Sequence, residues 1–361
     1  MPVSCIILGA GLVGRSLAYY LTRSDIDVTL VDADDPAHSV SPTTRASLGA
    51  LTRPNTSADS LSRFYRLSHE LHRPLAEQLA EETGVDVGWR PCGGLDVAYD
   101  EAAVRYLRDR GTRLLERGAR GEWLTAAQVA EHAPALRPGI LDACWWRDDH
   151  QVDTVQLSRA LWMGAHQEGA TYRQGSALRI ETGPAVILGG GERLEADVVV
   201  IAAGARSAGL LADLGVTPTP VRSIPGQSLR LRTAADLPMI VHWQDVHMLR
   251  AGKDTLSIGA TVEEPADTAE PTPAAREHLL ARARWLLGQD DLIVETHVAG
   301  LRPKPRRGRP LIAALPSPGL FVATGHYKSG ALMAPLTGQV VARWIVDGDP
   351  RIDLAPFSID R

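Results

Sequence analysis

The chain has 361 residues, enough for two domains or for one large core with an insertion, and a chain of this size needs no disulfide or metal staple. Its 38 basic and 43 acidic side chains give a formal charge of −5, which argues against nucleic acid or an anionic membrane surface as partner. Three scattered cysteines, Cys5, Cys92 and Cys144, form no CxxC pair, so a reduced, cytoplasmic protein is expected.

Val3 to Leu8 reads as an apolar strand, followed by Gly9-Ala10-Gly11-Leu12-Val13-Gly14, a helix, a second strand Val28 to Val31, and Asp32. Each part suits a βαβ unit that holds a dinucleotide. Gly9 permits the turn off the strand, Gly11 lets the backbone approach a pyrophosphate, and Gly14 lets the helix pack on the sheet. The helix N-terminus offers free N–H groups to the anion. Asp32 would accept hydrogen bonds from an adenosine ribose, and it disfavours a 2′-phosphate. The stretch lacks a basic n-region and Arg15 interrupts it, so neither a signal peptide nor a membrane span is expected.

A polar loop is expected from Asp34 to Thr44, then Arg45-Ala46-Ser47-Leu48-Gly49-Ala50-Leu51, then a helix over Ala58 to Glu82 kinked at Pro74. Gly93 to Tyr99 is a turn into a strand, with helices near Glu101 to Arg117, Ala126 to His132 and Val155 to Glu168. The run Ala196-Asp-Val-Val-Val-Ile-Ala-Ala-Gly204 has no alternation and suits a parallel sheet covered on both faces. Val221 to Ile258 alternates polar and apolar residues, as an antiparallel sheet with one solvated face does. Thr272 and Pro273 cap and start a helix to Leu287. Leu320 to Gly325 is a third apolar strand, before a helix over Leu332 to Val346. The expected fold is α/β, with the dinucleotide-binding domain in three pieces, 1–85, 150–215 and 298–361. The other two, 86–149 and 216–297, form an interleaved α+β substrate domain on an antiparallel sheet.

Four blocks then carry a resemblance over nearly the whole chain: the N-terminal glycine motif with Asp32; Ala196 to Ser207; Val221-Arg-Ser-Ile-Pro-Gly-Gln227; and Gly300-Leu-Arg-Pro303 with Ala323-Thr-Gly-His-Tyr-Lys-Ser-Gly-Ala-Leu-Met-Ala-Pro335. In these the chain resembles the D-amino-acid oxidase superfamily of FAD-dependent oxidoreductases, especially its glycine oxidase and sarcosine oxidase-like members. The resemblance implies a Rossmann-like FAD domain of the glutathione-reductase type. Gly9, Gly11, Leu12, Val13, Gly14, Asp32 and Ala33 would hold the adenine half of FAD. Thr44, Arg45, Ser47, Leu48 and Gly49 would line the pyrophosphate and isoalloxazine, Ala177 would meet adenine through its backbone, and Ala203 and Gly204 would pass the diphosphate. His326, Lys328, Ser329, Gly330, Ala331 and Leu332 match a turn and helix start that face the flavin ring. With no cysteine in the Gly300 to Pro310 region, noncovalent FAD is expected.

By the same resemblance Arg302 clamps a substrate carboxylate and borders the cofactor, with Tyr327 and Lys328 beside it and Arg53 as a looser second candidate. A guanidinium grips a carboxylate through two parallel hydrogen bonds. The alternative for Arg302 is a surface arginine in a basic loop, the expectation for Lys304, Arg306, Arg307 and Arg309. The family's strand tyrosine falls on Val246 or, with a one-residue slip, on His247, and strand alternation means the slip decides which lines the pocket. Lys328 stands in place of an arginine and Ser329 of an asparagine.

The implied reaction is oxidation of the C–N bond of a small amine or amino acid to an imine, with O₂ reduced to hydrogen peroxide. Alternatives are a dehydrogenase serving a quinone or carrier, a biosynthetic amine oxidase with a non-glycine substrate, and an NAD-dependent or redox-inert nucleotide-binding protein. Glycine, sarcosine, a D-amino acid, an aminophosphonate or a biosynthetic intermediate all stay open as substrate, as does a homo-oligomer. His69 and His72 form an HxxH without a third ligand or glutamate, so no metal is expected. His242 reads as a strand histidine bonded to backbone, Trp145-Trp146 as packing, and Asp148-Asp149-His150 as a turn.

Overall fold

A computed structural model describes residues 3–52, 57–181 and 183–359. In chain order its elements are β1 (Val3–Leu8), α1 (Leu12–Leu21), β2 (Ile26–Asp32), α2 (Pro42–Arg45), β3 (Ala50–Leu51), α3 (Ser60–Thr83), β4 (Gly94–Ala98), α4 (Glu101–Glu116), β5 (Gly121–Leu124), α5 (Ala126–His132), β6 (Asp142–Trp146) and β7 (His150–Gln151). There follow α6 (Thr154–Gln167), β8 (Thr171–Gln174), β9 (Ala177–Glu181), β10 (Ala185–Leu188), β11 (Arg193–Glu195), β12 (Val198–Ile201) and α7 (Ser207–Asp213). The last third holds β13 (Val221–Arg232), β14 (Ile240–Trp243), β15 (Val246–Gly252), β16 (Thr255–Gly259), α8 (Pro273–Leu287), β17 (Ile293–Pro305), β18 (Leu311–Ala314), β19 (Leu320–Thr324) and α9 (Gly330–Asp347).

The three apolar runs meet in one sheet of order β18-β19-β12-β1-β2-β8, parallel except at β18–β19. Both faces are covered, which explains the lack of alternation in these strands. Cys5 and Ile7 face Leu17, Leu161 and Val340 of α1, α6 and α9. Ile6 and Leu8 face Val186, Leu188 and Leu210 of the β9–β11 meander and α7.

The second sheet has the order β17-β13-β16-β15-β14-β4-β6-β5, antiparallel except where β14 runs beside β4. One face packs on α8, with Leu231, Val246, Met248, Ile258, Leu279 and Ala283 in a single core. β13 and β17 pair from Val221–Pro305 to Arg232–Ile293, so the boundary expected at 298 falls inside a continuous strand.

The polar loop expected to run to Thr44 instead ends in the short helix α2. Pro42 supplies its first helical residue and the Ser41 hydroxyl accepts the Thr44 N–H, the ordinary chemistry of a helix start. α3 starts on the Asp59 side-chain cap, passes Pro74 without a break, and stops at Gly84, φ +71°. No helix among the described residues is long and apolar enough to cross a membrane.

α1 and α9 cross at Gly338, where a Cβ would lie 2.5 Å from Ser16 Oγ and 2.6 Å from the Ser16 carbonyl carbon. Backbone cannot move aside as a side chain can. Gly338→Ala should destabilise the fold by about 1–3 kcal/mol, the usual cost of overpacking, and lower the thermal midpoint. An unchanged midpoint would mean the helices do not approach this closely.

Candidate active site

The first glycine motif contains two kinds of glycine. Gly9 has φ +108°, and a Cβ there would sit 2.6 Å from Ala202 O and 2.8 Å from Ala203 Cα. A Cβ on Gly14 would lie 1.9 Å from Gly9 O. The protein's own packing demands both. Around Gly11, which starts α1 without a side-chain cap, a Cβ would meet no protein atom within 4 Å. That open space faces the unpaired N–H groups of the helix's first turn, Leu12 and Val13 among them, and suits a pyrophosphate.

Asp32 Oδ2 accepts the Ala10 N–H at 2.6 Å, so the carboxylate lies against the glycine turn. Gly175 N–H bonds Asp32 O at 2.8 Å and Gln174 Nε2 bonds Ala33 O at 3.1 Å, which bring the Ala177 segment to this end. Ala203-Gly204 borders the turn from the other side, with Gly204 O accepting from Thr324 Oγ1 at 3.0 Å.

Arg15, which interrupts the apolar run, is itself almost wholly buried. It donates to Ala10 O at 2.7 Å, Ser158 O at 3.2 Å and Ser39 O at 2.6 Å, tying the turn to α6 and to the loop before α2. Burial lowers its pKa to about 10 against the opposing pull of Asp32 and Asp35, so it stays charged at neutral pH.

The segment 41–49 lies between α6 and the second sheet. Thr154 Oγ1 bonds Thr44 O at 2.9 Å, and residue 49, φ +78°, fits only as glycine, since a Cβ there would lie 1.9 Å from Val152 O. On the other side Ser228 Oγ bonds Ala46 O at 3.0 Å, Thr43 Oγ1 bonds Leu301 O at 3.0 Å, and a Cβ on Gly259 would come 3.5 Å from Leu48. Arg45 projects to solvent, and the Ser47 hydroxyl accepts from Gly49 N at 3.4 Å.

The strand registers define what the second sheet presents here. Ser228 lies opposite Gly259 and Val298, Gly259 opposite His247, and His247 opposite His242. Alternation along β13 and β17 puts Gly300 and Arg302 on the same face. Val246 points the other way into the α8 core, so of the two it is His247, half-buried, that lies on the face shared with Arg302.

The Arg302 guanidinium lies where a Gly226 side chain would be, 2.0 Å from the position of its Cβ, and Nη1 donates to Thr261 O at 2.9 Å. Burial lowers its pKa, against Tyr327 and Glu263. Beside it comes the 3₁₀ turn Tyr327–Ser329, with Tyr327 at φ +50°. Lys328 is held below the usual lysine range by partial burial and then by Arg302 and Lys304. Lys304 and Lys328 reach to 5.3 and 5.7 Å from the Tyr327 ring centre.

Gly330, Ala331 and Leu332 start α9 on this turn, and α3 fixes it. Tyr65 donates to Ser329 Oγ at 2.5 Å, while Ser68 Oγ and His72 Nε2 donate to Leu332 O at 2.6 and 3.0 Å. His72 is neutral, its pKa lowered by burial to about 4. The His326 ring is buried against α9, its Nε2 2.9 Å from Thr337 Oγ1.

Arg53 lies outside the described residues. Arg306 bonds Thr219 O at the surface, as expected for that loop, whereas Lys304, expected there too, is half-buried beside Tyr327 because β17 runs on to Pro305. Two further expectations need correction. His242 does not bond backbone: its Nε2 lies 2.6 Å from Asp149 Oδ2 and its Nδ1 2.8 Å from His247 Nδ1. Asp149 is no mere turn residue but is fully buried. Sequence reasoning also missed Arg15 and Tyr65. For His242 a signal existed: Gln244-Asp245 is a two-residue hairpin connection, which sets residues five apart opposite each other. Trp146 does pack, fully buried with Nε1 on Asp96 at 2.7 Å.

The two kinds of glycine can be separated. Gly11→Ala should leave the thermal midpoint of the cofactor-free protein unchanged while weakening dinucleotide binding in a fluorescence titration; Gly14→Ala should lower both. A Gly11→Ala protein with wild-type affinity would contradict the pyrophosphate assignment.

A family profile described as FAD dependent oxidoreductase matches residues 4–344. The chain is 29% identical over 365 residues to a glycine oxidase of Geobacillus kaustophilus, covering 98% of this chain and 96% of that protein. A crystal structure of glycine oxidase from Geobacillus kaustophilus superposes with a TM-score of 0.91 at 28% identity, covering 99% of each chain. It is also 27% identical over 383 residues to the bifunctional protein ThiO/ThiG of Trichormus variabilis, covering 99% of this chain but only 55% of that protein's length. Fold, glycine cradle and similarity agree: the chain belongs to the FAD-dependent oxidoreductase family.

Proposed function

We propose that this protein oxidises the C–N bond of a small amine or amino acid to an imine, using noncovalent FAD and reducing O₂ to hydrogen peroxide. The observation that carries the proposal is the shared face of Arg302 and His247, set against segment 41–49 and the Tyr327–Ser329 turn. Similarity to the glycine oxidases over nearly the full length of both chains supports the same chemistry.

FAD, when bound, supplies the acceptor for two electrons and returns them to O₂. The protein's share is orientation. Arg302 already spends Nη1 on Thr261 O, which fixes the plane of the guanidinium and leaves its remaining N–H groups for a carboxylate. A clamped carboxylate sets the direction of the substrate's Cα–H bond. Arg302 and Lys328 also place positive charge in a partly desolvated cleft, which favours the neutral amine over its ammonium form. No acid–base triad is required. The free cysteines lie in β1, in β6 and before β4, away from the Gly300 to Pro310 strand end, in keeping with noncovalent cofactor.

Anaerobic mixing with a panel of small amines and amino acids should bleach the flavin absorption, and readmitted air should yield peroxide in proportion to imine. A quinone-dependent enzyme would bleach without that peroxide. Arg302→Ala should raise KM for a carboxylated substrate roughly tenfold or more, corresponding to the loss of about 1.5–3 kcal/mol for a charge-assisted bond. Equal bleaching by Arg302→Ala and wild type would remove Arg302 from the site. Acid precipitation should release the flavin into the supernatant; yellow colour in the pellet would mean a covalent link.

A further inference from the structure

We infer that Asp149, acting through His242, fixes His247 as its Nδ1–H tautomer, so that His247 Nε2 presents a lone pair that accepts an N–H from the substrate amine. The inference rests on the amine-oxidising reading above and adds to it a second point of substrate attachment, together with two positioning residues behind it.

Asp149, His242 and His247 form one hydrogen-bonded chain. Asp149 Oδ2 and His242 Nε2 are 2.6 Å apart, and His242 Nδ1 and His247 Nδ1 are 2.8 Å apart. In the proposed state Asp149 is ionised, and since a carboxylate only accepts, the first contact needs a proton on His242 Nε2. In the proposed state His242 is neutral, so Nε2–H is its one N–H and Nδ1 is a lone pair. The proton in the second contact therefore belongs to His247 Nδ1, and His247 Nε2 has none. Among the described residues, His247 Nε2 makes no hydrogen bond.

The site for the carboxylate is built into the backbone. A Cβ on Gly94 would come within 2.0 Å of Asp149 Oδ2, and Gly93 N–H bonds Asp149 O at 2.8 Å. At the other end of the chain, His247 lies opposite Gly259, on the face that meets Leu48. The groups that act on its ring are His242, Asp96, Asp149 and, from across the cleft, Lys328. Burial, His242 and Lys328 outweigh the two carboxylates and lower its pKa to about 3, so the ring is neutral and works as an acceptor.

An acceptor at this place has a chemical use. The amine lone pair must align with the Cα–H bond that breaks, and holding one N–H fixes rotation about the C–N bond. With the carboxylate on Arg302, the substrate is held at both ends. His247 would touch substrate; His242 and Asp149 would act through it.

Asp149→Asn permits the reversed chain, because the amide can turn its N–H to His242 Nε2 as an ionised carboxylate cannot. The proton between the rings then moves to His242, and His247 turns Nε2–H towards the substrate, the same wrong-tautomer effect known for an aspartate behind a catalytic histidine. In ¹⁵N–¹H spectra of the holoprotein above neutral pH, wild type should show His247 as Nδ1–H and His242 as Nε2–H, and Asp149→Asn should show both exchanged. Flavin reduction by the best amine of the panel should slow roughly tenfold or more in Asp149→Asn, with FAD affinity unchanged. Should that variant fold poorly, His247→Gln, which keeps an acceptor, should retain more of the reduction rate than His247→Leu. Wild-type His247 in the Nε2–H form, or equal rates for the Gln and Leu variants, would overturn the inference. If no amine reduces the wild-type flavin, the proposed reaction falls instead, and the spectra still decide the tautomer.

Discussion

Where the second sheet meets segment 41–49, three strand positions have no room for a Cβ, and the rest of the cleft follows from that closeness. Gly300 packs its bare backbone on Thr43, where a Cβ would sit 2.6 Å from Thr43 Cα; Gly259 faces Leu48; and Gly226 leaves its place to the Arg302 guanidinium. These three positions lie on neighbouring strands and point to one face. Larger residues would lift the sheet from segment 41–49 and carry Arg302 and His247 away from the Tyr327–Ser329 turn. Hydrogen bonds from Ser228 to Ala46 and from Thr43 to Leu301 hold the contact that the glycines permit.

Charge is arranged by depth. Arg302, Lys304 and Lys328 gather at the cleft around Tyr327, while Asp149 and Asp96 lie buried behind two histidines. A buried carboxylate is costly unless paired, and both have donors: His242 for Asp149, and Trp146 with Arg110 for Asp96. Basic groups gathered in this way attract an anion, and the two carboxylates lie on the far side of the histidines.

Much of this was legible in the sequence because it was local. The glycine turn, the uninterrupted apolar strands and the caps at Thr272 and Pro273 each follow from residues near one another in the chain. Arg302 and the Tyr327 turn were recognisable through resemblance, although nothing local marked them. What was not legible depends on distant partners. Asp149 and His242 are 93 residues apart and meet only because β14 lies beside β4 in a sheet whose order cannot be read from either segment. Arg15 looked like a polar interruption because its three carbonyl partners come from three separate elements. His247 was ambiguous for a different reason: a slip of one residue reverses every side chain of a strand, and only the α8 core, by burying Val246, fixes the register.

The division of labour between the two sheets bears on how such a protein can change. The glycine turn and its surroundings are made of backbone atoms and small residues near β1, β2 and segment 41–49, whereas His247, His242 and their neighbours sit on the β14–β15 hairpin, joined by only Gln244 and Asp245. A substitution on the outward side of that hairpin alters the α8 core, and one on the inward side alters the face it shares with Arg302. One or two inward residues of a single hairpin can therefore be exchanged while the glycine turn and the fold are inherited intact. The glycines at 226, 259 and 300 set the limit to that exchange, since they are the hinge pins on which any new pocket must still hang.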